Sequence, residues 1–307
     1  MQAGVSPSTG VTTAATEGGG GGFTTQAGCR STIYAKWGTL SSGQKLAFVN
    51  AIKCLTQRRA RGGIWNRAQT RWDELVYVHN QMVGSVHQSD LFLPWHRYYL
   101  YAFRTMLRNE CSYTGPMPWW KETNNAGNFP ASDIFSASYF GSLPQASSNG
   151  GGYCLQNGAF RGLNNRVNGQ CVARGELKSE TRSVTVANEN TCQGSGGASY
   201  SAHRRCVEGT NHAYLHRGLG PTMANAAVSP ADPVFFLHHS YIDWQWKRWQ
   251  NAASSRWTSI TNDYPTVSGG VNMDTQLNML GLVPTRRIRD ILDTEGTFLC
   301  YTYDELR

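Results

Sequence analysis

The chain has 307 residues, of which 40% are hydrophobic, 16% charged and 11% aromatic, and its formal net charge is +8. That apolar share supports a sizeable core and excludes a disordered chain, while no apolar run reaches the roughly 18 residues that a membrane span requires. The excess of Lys and Arg is scattered or in short groups such as Arg58–Arg59–Arg61 and Arg286–Arg287–Arg289; without a nucleic-acid motif beside them these read as solvated surface, and neither nucleic acid nor membrane is expected as a partner.

Residues 1–28 are rich in Gly, Ser, Thr and Ala and include the run Gly18–Gly22, the composition of a flexible tail. They contain no charged-then-apolar leader. The remaining 29–307 read as one core domain. A helix is predicted from about Ser41 to Arg59, where Leu46, Val49, Ile52 and Leu55 recur at three- and four-residue steps. A second runs from about Thr70 to Val83, with the stripe Trp72, Leu75, Val76, His79, Met82, Val83. A third begins near Pro94 and carries His96, Tyr99, Leu100, Phe103, Met106 and Leu107. Residues 112–205 are Gly-, Asn- and Ser-rich with little periodicity, and read as a long irregular segment pinned by disulfides. A fourth helix carries His212, Leu215, His216 and Leu219. A fifth opens at Asp232-Pro233, an N-cap followed by proline, and runs through about Trp249. From Trp257 to Arg307 short strands are expected. The fold class that follows is mainly α: a four-helix bundle around a central site, with long irregular disulfide-pinned loops and few short strands.

Eight cysteines, none in a CxxC pair, point to disulfides and an oxidising, extracellular setting. Cys29 and Cys300, near the two ends of the ordered region, are a natural staple.

Seven of the eight histidines fall in two groups: His79, His87 and His96, then His212, His216, His238 and His239. Several imidazoles on buried stripes are unfavourable unless each finds a partner, and a metal supplies one. His212 and His216, four residues apart, share a helix face. Neighbours on a helix diverge by about 100°, so His238 and His239 are not expected to point inward together. His239 shares its face with Phe235, Ile242 and Trp246, which leaves His238 a supporting role. His203 stands apart in the irregular segment. There is no Glu-x-x-His of di-iron bundles and no His-Glu-x-x-His of zinc peptidases. Two sets of three neutral nitrogens fit copper best.

The motif around these residues resembles a known family. Leu93-Pro94-Trp95-His96-Arg97, His212-x3-His216 and the string Asp232-Pro233-Val234-Phe235-Phe236-Leu237-His238-His239-x3-Asp243 are similar to the copper motifs of type 3 copper proteins of the tyrosinase and catechol oxidase group, with the pattern closest to short fungal and bacterial members. The resemblance covers roughly residues 29–303 and ends in Tyr301-Thr302-Tyr303, against which Arg30 is expected to pack. It implies two copper ions, held by His79, His87, His96, His212, His216 and His239, that use dioxygen to oxidise a phenolic substrate. Little chain follows Tyr303, so an open site without the shielding domain of latent members is expected. Ser85 stands two residues before His87, and no cysteine is near to form the thioether found in many relatives. Many tyrosinases have Asn after the first histidine of the second site, where it acts with a Glu on monophenols. Here the follower is Ala213 and the nearest candidate Glu is Glu208. The implied activity is oxidation of o-diphenols to o-quinones. Alternatives are a tyrosinase that also hydroxylates monophenols, an o-aminophenol oxidase, or a dioxygen carrier. Arg217, after His216, is a candidate for attracting an acidic phenol, and Asp243 for orienting a ligand imidazole.

Overall fold

The computed structural model describes residues 32–194, 197–260 and 270–306. The tail read at 1–28, Cys29 and Arg30 lie outside the described residues. The chain begins with strand β1 (Thr32–Lys36) and enters α1 (Ser42–Gln57) and α2 (Arg71–Val86) through two capping boxes. Ser41 with Gln44, and Thr70 with Asp73, each satisfy two backbone donors that a helix start leaves open. Helix α3 (Phe92–Cys111) starts two residues before Pro94, so the proline sits inside the first turn, where no amide hydrogen is needed.

Strand β2 (Met117–Trp119) follows. Two small antiparallel pairs come next: β3 (Tyr153–Cys154) with β6 (Ala173–Arg174), and β4 (Asn164–Asn165) with β5 (Gln170–Cys171). The stretch read as irregular is only partly so. It contains α4 (Lys178–Thr181), α5 (Val186–Gln193) and α6 (Tyr200–Val207), and the last two are entered through side-chain caps from Thr185 and Ser199. They are too short and polar to show a clear apolar period. Then come α7 (Ala213–Gly218), α8 (Pro221–Ala224) and α9 (Val234–Asn251), followed by the pair β7 (Gln276–Leu277) and β8 (Arg286–Arg287), and by β9 (Tyr301–Tyr303).

Helices α2, α3, α9 and the continuous α6–α7 stretch surround the histidines, so the four-helix expectation stands; α1 packs on the outside against α2 and α3. Helix α9 is central and buried on nearly every face, including Trp244, Trp246 and Trp249. It starts one residue later than predicted. Asp232 does not serve as the N-cap proper, although its Oδ1 accepts from the Val234 amide at 3.0 Å. The same carboxylate forms a fully buried bidentate pair with Arg174, at 2.6 and 2.7 Å, and so ties β6 to the entrance of α9.

A parallel three-stranded sheet, in the order β2-β1-β9, closes one end, with Tyr34 level with Met117 on one side and Tyr303 on the other. Disulfides Cys54–Cys111, Cys154–Cys171 and Cys192–Cys206 tie α1 to the end of α3, clip the loop, and join α5 to α6. Cys300 is also disulfide-bonded. No described helix is long and apolar enough to cross a membrane.

Candidate metal centre

The first group of histidines rests on ordinary helix geometry. His79 lies on the inner face of α2, His96 one turn into α3, and His87 caps the end of α2. His87 Nδ1 meets the Val83 carbonyl at 3.1 Å, and His96 Nδ1 meets that of Phe92 at 2.7 Å. Both partners are four residues back, so an N–H on Nδ1 occupies a helical carbonyl and leaves Nε2 with a lone pair. His79 Nε2 and His96 Nε2 lie 3.4 Å apart.

The second group needs an irregularity. Residues Glu208–His212 form a π-helical turn between α6 and α7, with Thr210 in a non-helical conformation (φ −109°, ψ −107°). In a regular α-helix every fourth residue drifts by about 40° around the axis. The wider turn takes up that drift, and the pairs Arg204–Arg205, Glu208–Gly209, His212–Ala213 and His216–Arg217 all line one cleft. The turn is braced: Thr210 Oγ1 donates to the Cys206 carbonyl at 2.6 Å, beside the Cys192–Cys206 bridge. His212 Nδ1 again meets the carbonyl four residues back, Glu208, at 3.1 Å, and His216 Nδ1 meets the Met223 carbonyl at 2.7 Å. His216 Nε2 and His239 Nε2 are 3.4 Å apart.

This donor set fits a metal. Nitrogens that share one tetrahedral ion at roughly 2.0–2.1 Å sit roughly 3.4 Å from each other, the spacing found in both groups. His212 Nε2 is buried without a protein hydrogen-bond partner, as a ligand atom would be. Burial first, then the neighbouring imidazoles, holds His79, His96, His212 and His239 well below the ordinary imidazole value. Burial also lowers His87 and brings His216 down to about 4. All six are therefore neutral near pH 7, the form in which imidazole binds metal. One nitrogen from each of His79, His87 and His96 lies within 4.8 Å of the others, and the same holds for His212, His216, His238 and His239.

His238 is thus nearer the site than its helix position suggested. Both it and His239 are buried, because α9 has no solvent face at this level. His238 Nδ1 shares a 2.6 Å hydrogen bond with Glu122 Oε1, and both side chains are fully enclosed. Burial, with Glu189 nearby, pushes the Glu122 carboxyl well above the usual range, while burial lowers His238. Glu122 comes from the loop after β2, and no periodicity or motif marks it.

The cleft has a volume of about 580 Å³ and reaches His87, His212 and His216. Ala213 lines it. Glu208 does too, with Oε1 accepting from the Gln88 amide at 2.6 Å and Oε2 from Arg204 at 3.0 Å; burial raises its pKa. Arg217 is at the rim, where it donates to Glu180 at 2.8 Å. Asp243 does not orient an imidazole. It is buried against Arg97 at 2.6 Å and accepts from the Tyr303 hydroxyl at 2.7 Å and the Tyr301 hydroxyl at 2.5 Å, joining α3, α9 and β9. His203 is in a helix rather than a loop. Its role is structural: it is stacked on Trp249, with Nδ1 on the Cys192 carbonyl at 2.9 Å.

Residues 69–252, which include all these histidines, match the model of the common central domain of tyrosinase. The chain belongs to the tyrosinase family. Over 302 residues it is 32% identical to tyrosinase ustQ of Aspergillus flavus, covering 93% of this chain and 83% of that one. In fold it is similar to a variant polyphenol oxidase from Thermothelomyces thermophila, with a TM-score of 0.79 at 23% identity over 89% of each chain. It is also similar to a functional unit of octopus haemocyanin, at TM-score 0.59 and 16% identity over 90% of this chain and 69% of that one. The tyrosinase-family chain is a type 3 copper oxidase with a binuclear copper centre, acting on phenolic substrates with dioxygen.

Proposed function

We propose that the protein oxidises o-diphenols to o-quinones while dioxygen is reduced to water. One copper ion is assigned to His79, His87 and His96, and the other to His212, His216 and His239. The two ions, when bound, supply dioxygen binding and the two-electron chemistry. The chain's part is to keep the imidazoles neutral, present Nε2 from each, and wall them with apolar rings. Phe235 stacks on His239 with centroids 4.0 Å apart, and Phe92 packs against His96 and His212 at 4.8 and 4.7 Å.

The observation that carries the choice of substrate is the contact set at Glu208 and Ala213. A monophenol must give its hydroxyl proton to a base as it binds. Glu208 is held by the Gln88 amide and Arg204, and Ala213 offers no polar group beside His212. An o-diphenol brings both oxygens already and has only electrons and protons to lose. His239 is preferred over His238 as the sixth ligand because its Nε2 lies 3.4 Å from that of His216, the spacing of two nitrogens on one ion. The disulfides favour an extracellular or otherwise oxidising location.

The test is copper-loaded protein assayed with a catechol and the matching monophenol. Quinone is expected from the catechol, with slow or lagging turnover of the monophenol. Fast monophenol turnover without a lag overturns the diphenol preference, and binding of dioxygen without quinone formation points to a carrier.

A further inference from the structure

The cleft is unevenly charged. Arg204, Arg205 and Arg217 line it, against Glu208 as its one acidic group among the described residues. Two of the three guanidinium groups are already engaged. Arg204 is buried between Asp90, at 3.4 Å, and Glu208, at 3.0 Å. Arg217 pairs with Glu180 and lies against the Tyr214 ring, 5.1 Å from its centroid. Arg205 is exposed, and among the described residues it has no ion pair and no side-chain hydrogen bond. Its neighbours along the cleft wall at four-residue steps are Gly209 and Ala213. A Cβ at Gly209 would meet nothing within 4 Å. The wall therefore carries a free cation, then an unfilled bay, then the histidines.

We infer that Arg205 is a specificity-determining residue that receives a carboxylate carried by the substrate at the end of a short side chain. The inference rests on the catechol-oxidising reading above and names its substrate class: arylpropanoate-like catechols. Arg205 and His212 are seven residues apart, at most roughly 10 Å along the axis at the α-helical rise, since the π-turn at Glu208–His212 shortens the span. A ring with its hydroxyls at the histidines reaches Arg205 through a side chain of two or three carbons, and a carboxyl directly on the ring falls short. A guanidinium at a solvent-open cleft binds a carboxylate through charge-assisted hydrogen bonds and draws anions toward the opening.

The test compares kcat/KM of the copper-loaded protein for 3-(3,4-dihydroxyphenyl)propanoate, its neutral amide and 4-(2-aminoethyl)catechol, in wild type and Arg205→Glu. The carboxylate is expected to lead the amide by about tenfold, the scale of one hydrogen bond to a charged group. The lead should shrink with added salt and vanish in Arg205→Glu through KM rather than kcat. Gly209→Leu, which fills the bay, should slow the propanoate more than unsubstituted catechol. Equal losses on all three substrates, or no wild-type preference for the carboxylate, overturn the inference. Equilibrium binding of redox-inert 3-phenylpropanoate and its amide separates the two readings. Carboxylate-selective binding through Arg205 without catechol oxidation defeats the oxidation reading and keeps the anion site. Catechol oxidation with no carboxylate selectivity in turnover or binding defeats the anion site alone.

Discussion

The two halves of the histidine site are built differently. His79, His87 and His96 stand on α2 and α3, which start at a capping box and a proline-containing first turn and keep regular register. His212 closes a strained π-turn and His216 follows one turn later in α7, and their partner comes from a helix buried all round, next to a second buried imidazole held by a loop glutamate. The first half is specified by local periodicity. The second depends on contacts from β2's following loop, α5 and the Cys192–Cys206 bridge. The half that bends the helix also supplies most of the cleft's lining, to which the first half adds His87 and Gln88, consistent with strain being retained where a site requires it.

The sharpest way to break this comparison is His239→Ala beside His238→Ala. The first should leave about one copper per chain and abolish catechol turnover. The second should keep both ions and lose no more than the roughly 10- to 100-fold typical of a residue behind the ligands. Copper content by elemental analysis together with quinone formation decides, and the reverse pattern reassigns the ligand. Next is deletion of Thr210, which turns the π-turn toward a regular helix. Turnover should fall by at least about a hundredfold, with the loss of metal confined to one of the two ions. Equal loss of both would show that the halves are not independent.

Asp243→Ala tests the scaffold shared by both halves. It leaves Arg97 buried without its anion and the Tyr301 hydroxyl without an acceptor, while the Tyr303 hydroxyl keeps the Ser240 carbonyl at 2.8 Å. A loss of about 3–5 kcal/mol is expected in denaturant unfolding. The smallest effect concerns acid. Burial holds His203 at about 4 in the fold, against about 6.5 when unfolded. Between those values the unfolded chain binds the extra proton, so stability falls as pH drops, by about 3 kcal/mol once pH reaches 4. His203→Phe should lower the slope of the metal-free protein's melting temperature against pH between pH 6 and 4.5 by the share of one proton, the other buried imidazoles keeping the rest. An unchanged slope would remove His203 from the acid response.

Much was legible in the chain itself. The periodic stripes placed α1, α2, α3 and α9 to within a few residues, and the two histidine groups with their flanking motif indicated a dicopper centre of this family. These are local properties: side-chain spacing repeats with the helix, and caps depend on neighbours three residues away. Only the tertiary structure decided the rest. His238 is buried beside His239 because α9 is surrounded on every side, which no facing argument along one helix can reveal. Glu122, Arg174 and Tyr34 reach their partners across more than fifty residues or between sheet strands. The π-turn leaves no trace in the hydrophobic pattern, because it shifts the helix by a single residue and is held by packing and a disulfide. That shift brings Arg205, Gly209, Ala213 and Arg217 onto one wall with His212 and His216, and so gives the cleft both its opening and its charge.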